Sequence, residues 1–311
     1  MAKTMIDTNT EFVKTTKARN GLIDLYRFLL SLVVVKSHSL FVVDGPYFGL
    51  GRTCVEFFFV LSGYLFWSFL QKNKENSLIE SLFNLFKTRF LPIAIPLCIG
   101  VLSNIIESAL LDRFNMWGYL WYIKVMFTEM IVLILLRKLI KSDKIFMIII
   151  MGIMIVALAL KFFGPYYSWG LVRGASSIPM GVFIASIPKI KKKRIAAILL
   201  IPSIIICFAM VGFNLADVEW LGFRIPELIL DNILYPALIY FSFCLDFRSK
   251  IFSYLGALSF GLYAFQCPAN LLRILGVKST WLLFGIILAA TLIEDGAKRI
   301  YRYNKNRRLS Y

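Results

Sequence analysis

Arg27 and His38 are ionisable residues within the first long apolar stretch of the chain, residues 21–43, and His38 is the only histidine among 311 residues. In an α-helix they are about three turns apart, so both side chains lie on nearly the same face, about 16 Å apart along the axis. Ionisable groups inside a membrane helix are unfavourable in hydrocarbon and mark functional sites by default. An imidazole with an unperturbed pKa of about 6.5 suits general-base chemistry near neutral pH.

Glu56 is the carboxylate expected at about the depth of His38. It lies near the start of the second apolar stretch, which returns from the side that the first one reaches. A carboxylate beside an imidazole can orient the ring and stabilise the imidazolium. A helix-capping or structural role fits Glu56 equally well.

Basic residues are expected at the opposite, inner mouth of the same region. Lys87 and Arg89 lie at the start of the third apolar stretch, near the expected level of Arg27. Guanidinium groups bind phosphate well, so these residues form a candidate anion site. The alternatives are an interior ion pair of Arg27 with Asp24 and plain topological anchoring by Lys87 and Arg89.

These residues must be positioned by membrane helices. The chain is 59% hydrophobic, and many stretches approach the roughly 20 residues that cross a hydrocarbon core. The sequence predicts an all-α, polytopic membrane protein with about ten transmembrane helices and no cleavable signal peptide. The predicted spans are 21–43, 54–71, 83–106, 117–136, 145–163, 168–188, 195–213, 226–245, 251–272 and 279–297.

The basic residues predict the orientation of these spans. The net charge is +17, but the charges fall in loops between apolar stretches, so membrane topology explains them and nucleic-acid binding does not. Most of the 35 lysine and arginine residues fall on one side, which predicts that both termini are cytoplasmic. The expected organisation is a cytoplasmic segment (1–20), one membrane domain (21–300) and a basic cytoplasmic tail (301–311).

The five cysteines are scattered through apolar stretches, without a C-x-x-C pair or a histidine at ligand spacing. We therefore expect neither a metal site nor a disulfide framework. Aromatic residues such as Trp121 and Tyr122 are expected to pack within the bundle or to form an interfacial belt.

Several motifs together resemble a known family. Arg27-x10-His38 resembles the Arg–His signature of acyltransferase family 3, the multi-span O-acyltransferases of cell-envelope polysaccharides. The stretch from Gly51 to Leu65, with Glu56-Phe-Phe-Phe-Val-Leu-Ser-Gly63 inside it, is similar to a second family motif. Weaker similarities in the same order are Arg89-Phe-Leu-Pro92, Leu120-Trp-Tyr-Ile123 and Ser259–Pro268.

The resemblance implies a function and a location. It implies an enzyme that transfers an acyl group, most simply acetyl, from cytosolic acetyl-CoA or another acyl-CoA to a hydroxyl group. The acceptor would be an envelope glycan or a lipid-linked sugar, and the protein would lie in the cytoplasmic membrane of a bacterium. His38 would be the general base with Glu56 beside it, while Arg27, Arg89 and Lys87 would hold the coenzyme A phosphates.

Two positions depart from the family pattern. The third-helix motif usually has a basic residue three positions before its arginine, where this chain has Phe86 followed by Lys87. The ninth-helix stretch often has a histidine where this chain has Gln266. A hydrogen-bonding role is still open to Gln266.

Two other kinds of function remain open. In a proton-coupled transporter, Arg27, His38 and Glu56 would form an ion relay. In a structural or assembly subunit, the same residues would matter only for stability. The sequence predicts neither the oligomeric state nor the exact acceptor.

Overall fold

The computed structural model of the chain describes residues 19–37, 48–112, 118–163, 170–213, 215 and 224–308. Within these ranges the secondary structure is helical and contains no strand, which agrees with the all-α prediction. The α-helices are α1 (Gly21–Val35), α2 (Phe48–Lys72), α3 (Leu78–Leu85), α4 (Ala94–Leu110), α5 (Trp121–Leu139), α6 (Asp143–Phe163), α7 (Gly170–Ser186), α8 (Lys193–Gly212), α9 (Ile225–Ile229), α10 (Tyr235–Leu245), α11 (Lys250–Ile274) and α12 (Thr280–Arg308).

Two of the membrane-length helices contain a π turn. A π-helical segment, Phe86–Phe90, and a 3₁₀ turn, Leu91–Ile93, join α3 to α4. A second π-helical segment, Leu230–Leu234, joins α9 to α10. π turns are rare and occur frequently at functional sites.

Polar side chains cap several helices and define where they begin. Asn20 caps α1, since its side chain accepts a hydrogen bond from the backbone N–H of Ile23. Ser77 and Glu80 form a reciprocal capping box at the start of α3. Ser249 caps α11. Each cap satisfies a backbone donor that the helix itself leaves unpaired.

Six helical stretches in the described residues are long and apolar enough to cross a membrane: Thr53–Lys72, Leu78–Leu110, Asp143–Phe163, Lys193–Val211, Ile225–Leu245 and Thr280–Tyr301. The remaining four predicted spans coincide with α1, α5, α7 and α11. These helices are short in their described part, carry several charges, or are rich in glycine, serine and other polar residues. The count of ten spans and the cytoplasmic location of both termini therefore stay predictions.

The less apolar helices lie inside the bundle. α7 packs extensively on α2, and α11 packs on α1, α4 and α12. A helix covered by other helices has little contact with lipid, so small and polar residues on it are tolerated where they let backbones approach closely. This packing explains why the hydropathy of α7 and α11 is low for membrane-spanning helices.

Two glycines bring the backbones of α2 and α7 into direct contact. A Cβ atom built on Gly63 would lie 2.0 Å from the carbonyl oxygen of Ile178, and one built on Gly181 would lie 2.0 Å from that of Val60. Any side chain at either position would therefore force the two helices apart.

We expect Gly63→Ala to destabilise the protein by about 1–3 kcal/mol or more, because overpacking at a backbone contact cannot be relieved by a side-chain rotation. The measurement is the fraction of monodisperse protein left after heating in detergent. Gly152→Ala in α6 is the matched control, since a Cβ there meets nothing within 4 Å. Equal thermal stability of the two variants would contradict the tight α2–α7 contact.

Candidate functional site

A cavity of about 270 Å³ lies between α1, α2, α5, α11 and the stretch Leu78–Leu110. Arg27 of α1 and Arg89 of the first π segment are the charged residues of its lining. Most of the remaining wall is apolar. Four hydroxyl groups also face it, from Ser62, Tyr122, Ser259 and Tyr263. A mainly apolar pocket with a few placed polar groups is the usual form of a small-molecule site.

Arg27 is held by a carboxylate on its own helix. Its Nη1 donates to Asp24 Oδ1 at 3.3 Å, and Arg19 donates to the same oxygen at 2.5 Å. Asp24 is buried, while the Arg27 side chain keeps 28% exposure. The interior ion pair expected as an alternative therefore forms, and it engages Nη1. In the described part of the chain, Nε and Nη2 of Arg27 make no hydrogen bond.

Arg89 reaches the cavity from the π segment Phe86–Phe90. Its Nη2 donates to the backbone carbonyl of Leu65 in α2 at 3.2 Å. Lys87 belongs to the same π segment, but its side chain is exposed and is not part of the cavity lining. The structure thus brings Arg27 and Arg89 together and leaves Lys87 outside.

Ser62 and Tyr122 form a hydroxyl pair in the cavity wall. Their side-chain oxygens lie 2.9 Å apart, and the Tyr122 hydroxyl also donates to the backbone carbonyl of Phe58 at 3.3 Å. The sulfur of Met126 lies 3.4 Å from each oxygen. The sequence led us to expect packing or an interfacial belt for Tyr122. Its ring does pack in the bundle, 4.7 Å from the ring centroid of Phe59, and the residue also lines the cavity.

Glu56 lies in a buried ion cluster, which we define as Glu56, Lys161, Arg173, Asp231 and Ser177. Lys161 Nζ donates to Glu56 Oε1 at 3.2 Å and to Asp231 Oδ2 at 2.7 Å. Arg173 Nε donates to Glu56 Oε1 at 2.7 Å, and Ser177 donates to Glu56 Oε2 at 2.5 Å. The cluster joins α2, α6, α7 and the second π segment.

The charges of the buried ion cluster balance, two carboxylates against two cations. The side chains of Glu56 and Asp231 are fully buried, and those of Lys161 and Arg173 keep 3% exposure. Arg173 also stacks over the ring of Trp121, 4.9 Å from its centroid. Burial of charge is tolerated only with such pairing. Glu56 therefore has a structural partner set, and it is not part of the cavity lining.

His38 lies outside the described residues, so its distance from Glu56 or Arg27 is not part of this geometry. Val35, three positions earlier, packs with Phe265 and Ala269 of α11.

Sequence reasoning missed the partners of Glu56. Lys161 and Arg173 lie near the ends of predicted spans and Asp231 lies inside one, but nothing in the sequence pairs them with Glu56. A charged residue inside an apolar stretch was the available signal, since each such charge needs a partner. In the described residues, no group of three or more His, Cys, Asp or Glu side chains could hold a metal ion.

Comparison with known proteins gives one finding. A family model described as an acyltransferase domain matches residues 20–293. No curated protein and no solved structure matches the chain. The matched range contains every residue of the cavity lining and of the buried ion cluster.

Proposed function

The chain belongs to acyltransferase family 3, and from this premise we propose that it is a membrane O-acyltransferase. The proposed donor is a cytosolic acyl-CoA, most simply acetyl-CoA. The proposed acceptor is a hydroxyl group of an envelope glycan or a lipid-linked sugar, modified at the cytoplasmic membrane of a bacterium.

The convergence of Arg27 and Arg89 on one cavity is the observation that supports the donor site. The two guanidinium groups come from elements far apart in sequence and face the same space. Guanidinium pairs recognise phosphate through charge-assisted hydrogen bonds. We assign the phosphates of coenzyme A to these arginines. Lys87, exposed on the same π segment, would attract them electrostatically from outside the cavity.

The proposed reaction uses His38 as its general base. The imidazole takes the proton of the acceptor hydroxyl while the oxygen attacks the thioester carbonyl. When the tetrahedral intermediate collapses, the C–S bond breaks and the imidazolium returns its proton to the leaving thiolate. Either hydroxyl of the Ser62–Tyr122 pair can be the donor between them. When Tyr122 donates to Ser62 instead of to the Phe58 carbonyl, the Ser62 O–H is free to donate to the carbonyl oxygen of the thioester as negative charge develops there.

Glu56 is proposed to stabilise the imidazolium of His38. A carboxylate has about four lone-pair positions for hydrogen bonds. Ser177 is the partner described for Oε2, whereas both cations bond to Oε1. Oε2 can therefore accept a further bond from an imidazole N–H. The cations would at the same time hold Glu56 ionised and fixed.

We expect Arg27→Ala and Arg89→Ala each to weaken coenzyme A binding about tenfold or more, since each removes charged hydrogen bonds to phosphate. The measurement is the Kd for coenzyme A of the purified protein in detergent, with acetate release from acetyl-CoA recorded alongside. Arg27→Lys, which keeps the charge, should lose less affinity than Arg27→Ala.

Arg248→Ala is the matched control, because Arg248 is exposed and pairs only with exposed Asp246 in the described residues. An equal loss in this control, or unchanged affinity in both cavity variants, would overturn the donor assignment. A folded wild-type protein that binds no acyl-CoA but moves a solute along a proton gradient would favour the transporter.

A further inference from the structure

A line of polar side chains runs along one face of α11, beyond the donor cavity. Ser259, Tyr263, Gln266 and Asn270 follow one another at helical spacings of three or four residues, so they lie on the same face. The first two line the cavity. The other two continue the line by about 10 Å from Tyr263 toward the end of the helix.

Gln266 is fully buried, and neither atom of its side-chain amide has a hydrogen-bond partner in the described residues. A buried, unsatisfied amide lowers stability by about 1–3 kcal/mol. Side chains on a helix lean toward its N-terminus. Gln266 is therefore expected to lean toward the turn that carries Tyr263, which lines the cavity, although Gln266 itself is not part of the lining.

Asn270, one turn further on, faces a carboxylate on α4. Its Nδ2 donates to Glu107 Oε2 at 2.9 Å, while its Oδ1 is buried without a partner in the described part of the chain. Glu107 keeps 8% exposure. The α4 side of this contact is polar too, with Ser103, Asn104 and Ser108 buried beside Glu107 in sequence. Two helices thus present hydrogen-bonding groups to each other where they pack together.

We propose that Gln266, Asn270 and Glu107 form a subsite for the hydroxyl groups of a neutral sugar acceptor. The inference rests on the proposed function and extends it to the second substrate. A carboxylate accepts hydrogen bonds from hydroxyls, and each amide both accepts and donates, which matches the donor and acceptor character of adjacent sugar hydroxyls. A bound sugar would satisfy the amide atoms of Gln266 and Asn270 that have no partner among the described residues.

The distribution of charge separates this subsite from the donor site. The arginines that suit phosphate, Arg27 and Arg89, lie in the cavity, whereas the subsite contains two neutral amides and one carboxylate. The lysine and arginine bias of the loops predicts that this end of α4 and α11 lies at the outer side of the membrane. An envelope acceptor would thus reach the donor cavity from the side opposite to the coenzyme.

The test is the partition of acetyl groups between sugar and water in Gln266→Leu. Membranes that carry the protein, with their native acceptors, are incubated with acetyl-CoA labelled in the acetyl group. Label in base-labile esters of the membrane and glycan fraction is divided by label in free acetate. We expect this ratio to fall about fivefold to tenfold, with coenzyme A binding unchanged. Glu107→Gln, which keeps the shape of the side chain, should lower the ratio in the same direction.

Thermal stability distinguishes binding from a structural role. Replacing an unsatisfied buried amide by an apolar side chain of similar size is neutral or stabilising, so Gln266→Leu should fold and melt no lower than wild type. Asn232→Leu is the control, because Asn232 bonds to the Leu228 carbonyl in another part of the bundle. Its ratio should match that of the wild type.

Three results would overturn the subsite. The first is a ratio of ester to free acetate in Gln266→Leu that equals the wild-type ratio. The second is a loss of coenzyme A affinity, which would assign these residues to the donor site, and the third is a fall in the ratio that a lower melting temperature explains. Failure of the proposed function looks different, since wild-type membranes would then neither release coenzyme A from acetyl-CoA nor form esters. The proposed subsite would then be wrong together with the proposed function.

Discussion

Replacing His38 with alanine is expected to lower acetyl transfer by about two to four orders of magnitude, the contribution of a positioned general base. An alcohol is a poor nucleophile while it keeps its proton, and no other histidine exists in the chain to take it. Binding of coenzyme A should stay within about twofold of wild type, since the arginines assigned to its phosphates are intact. The measurements are ester formation from labelled acetyl-CoA and the Kd for coenzyme A.

The pH profile provides a second readout for His38. The neutral imidazole is the active base, so wild-type activity should rise with pH as the imidazole loses its proton. His38→Ala should lose this rise while the residual rate persists. Activity within about tenfold of wild type, or loss of coenzyme A binding together with activity, would argue against the base and favour a structural role.

Lys161→Met is expected to cause the largest loss of stability among single changes in the buried ion cluster, about 3–5 kcal/mol. Lys161 donates to both Glu56 and Asp231. Without the ammonium group, two fully buried carboxylates share the site and Asp231 loses its described partner. The readout is the unfolding midpoint in detergent and the yield of folded protein.

Two further variants make the Lys161 prediction specific. Adding Asp231→Asn to Lys161→Met removes one of the two opposed carboxylates and should recover part of the lost stability. Lys74→Met serves as the control, because its ion pair with Asp143 is largely exposed and contributes little. A midpoint for Lys161→Met equal to that of Lys74→Met would show that the cluster does not stabilise the fold.

The helical class and the location of the elements follow from hydropathy, but the interior of the bundle does not. α7 and α11 pack inside the bundle, where glycine and serine allow close contact, so apolar content indicates their position poorly. The lysine and arginine residues of the loops predict the orientation of the helices, because they affect how the chain inserts into the membrane and do not depend on how the helices pack. Neither π turn has a signal in the periodicity, since each interrupts a helix that continues on both sides.

Some residues of the candidate site could likewise be predicted from the sequence, and others could not. Two of the three predicted donor residues, Arg27 and Arg89, line one cavity, because their helices place them at the same level. The partners of Glu56 come from α6, α7 and the second π segment, and pairing over such distances depends on tertiary packing that no local pattern encodes. The sequence shows only that Gln266 departs from the family motif. The structure adds that its side-chain amide is buried without a hydrogen-bond partner in the described residues, which is why it can be considered a binding residue.

The π turn at Phe86–Phe90 affects how related chains are aligned. Its hydrogen bonds span one residue more than those of an α-helix. Deleting a residue inside an ordinary membrane helix rotates everything beyond it by about 100°. Deletion within this turn would instead restore an α-helix and leave both flanking segments facing their present neighbours. A one-residue gap in a homologue here would record loss of the turn, without any change in the helices around it.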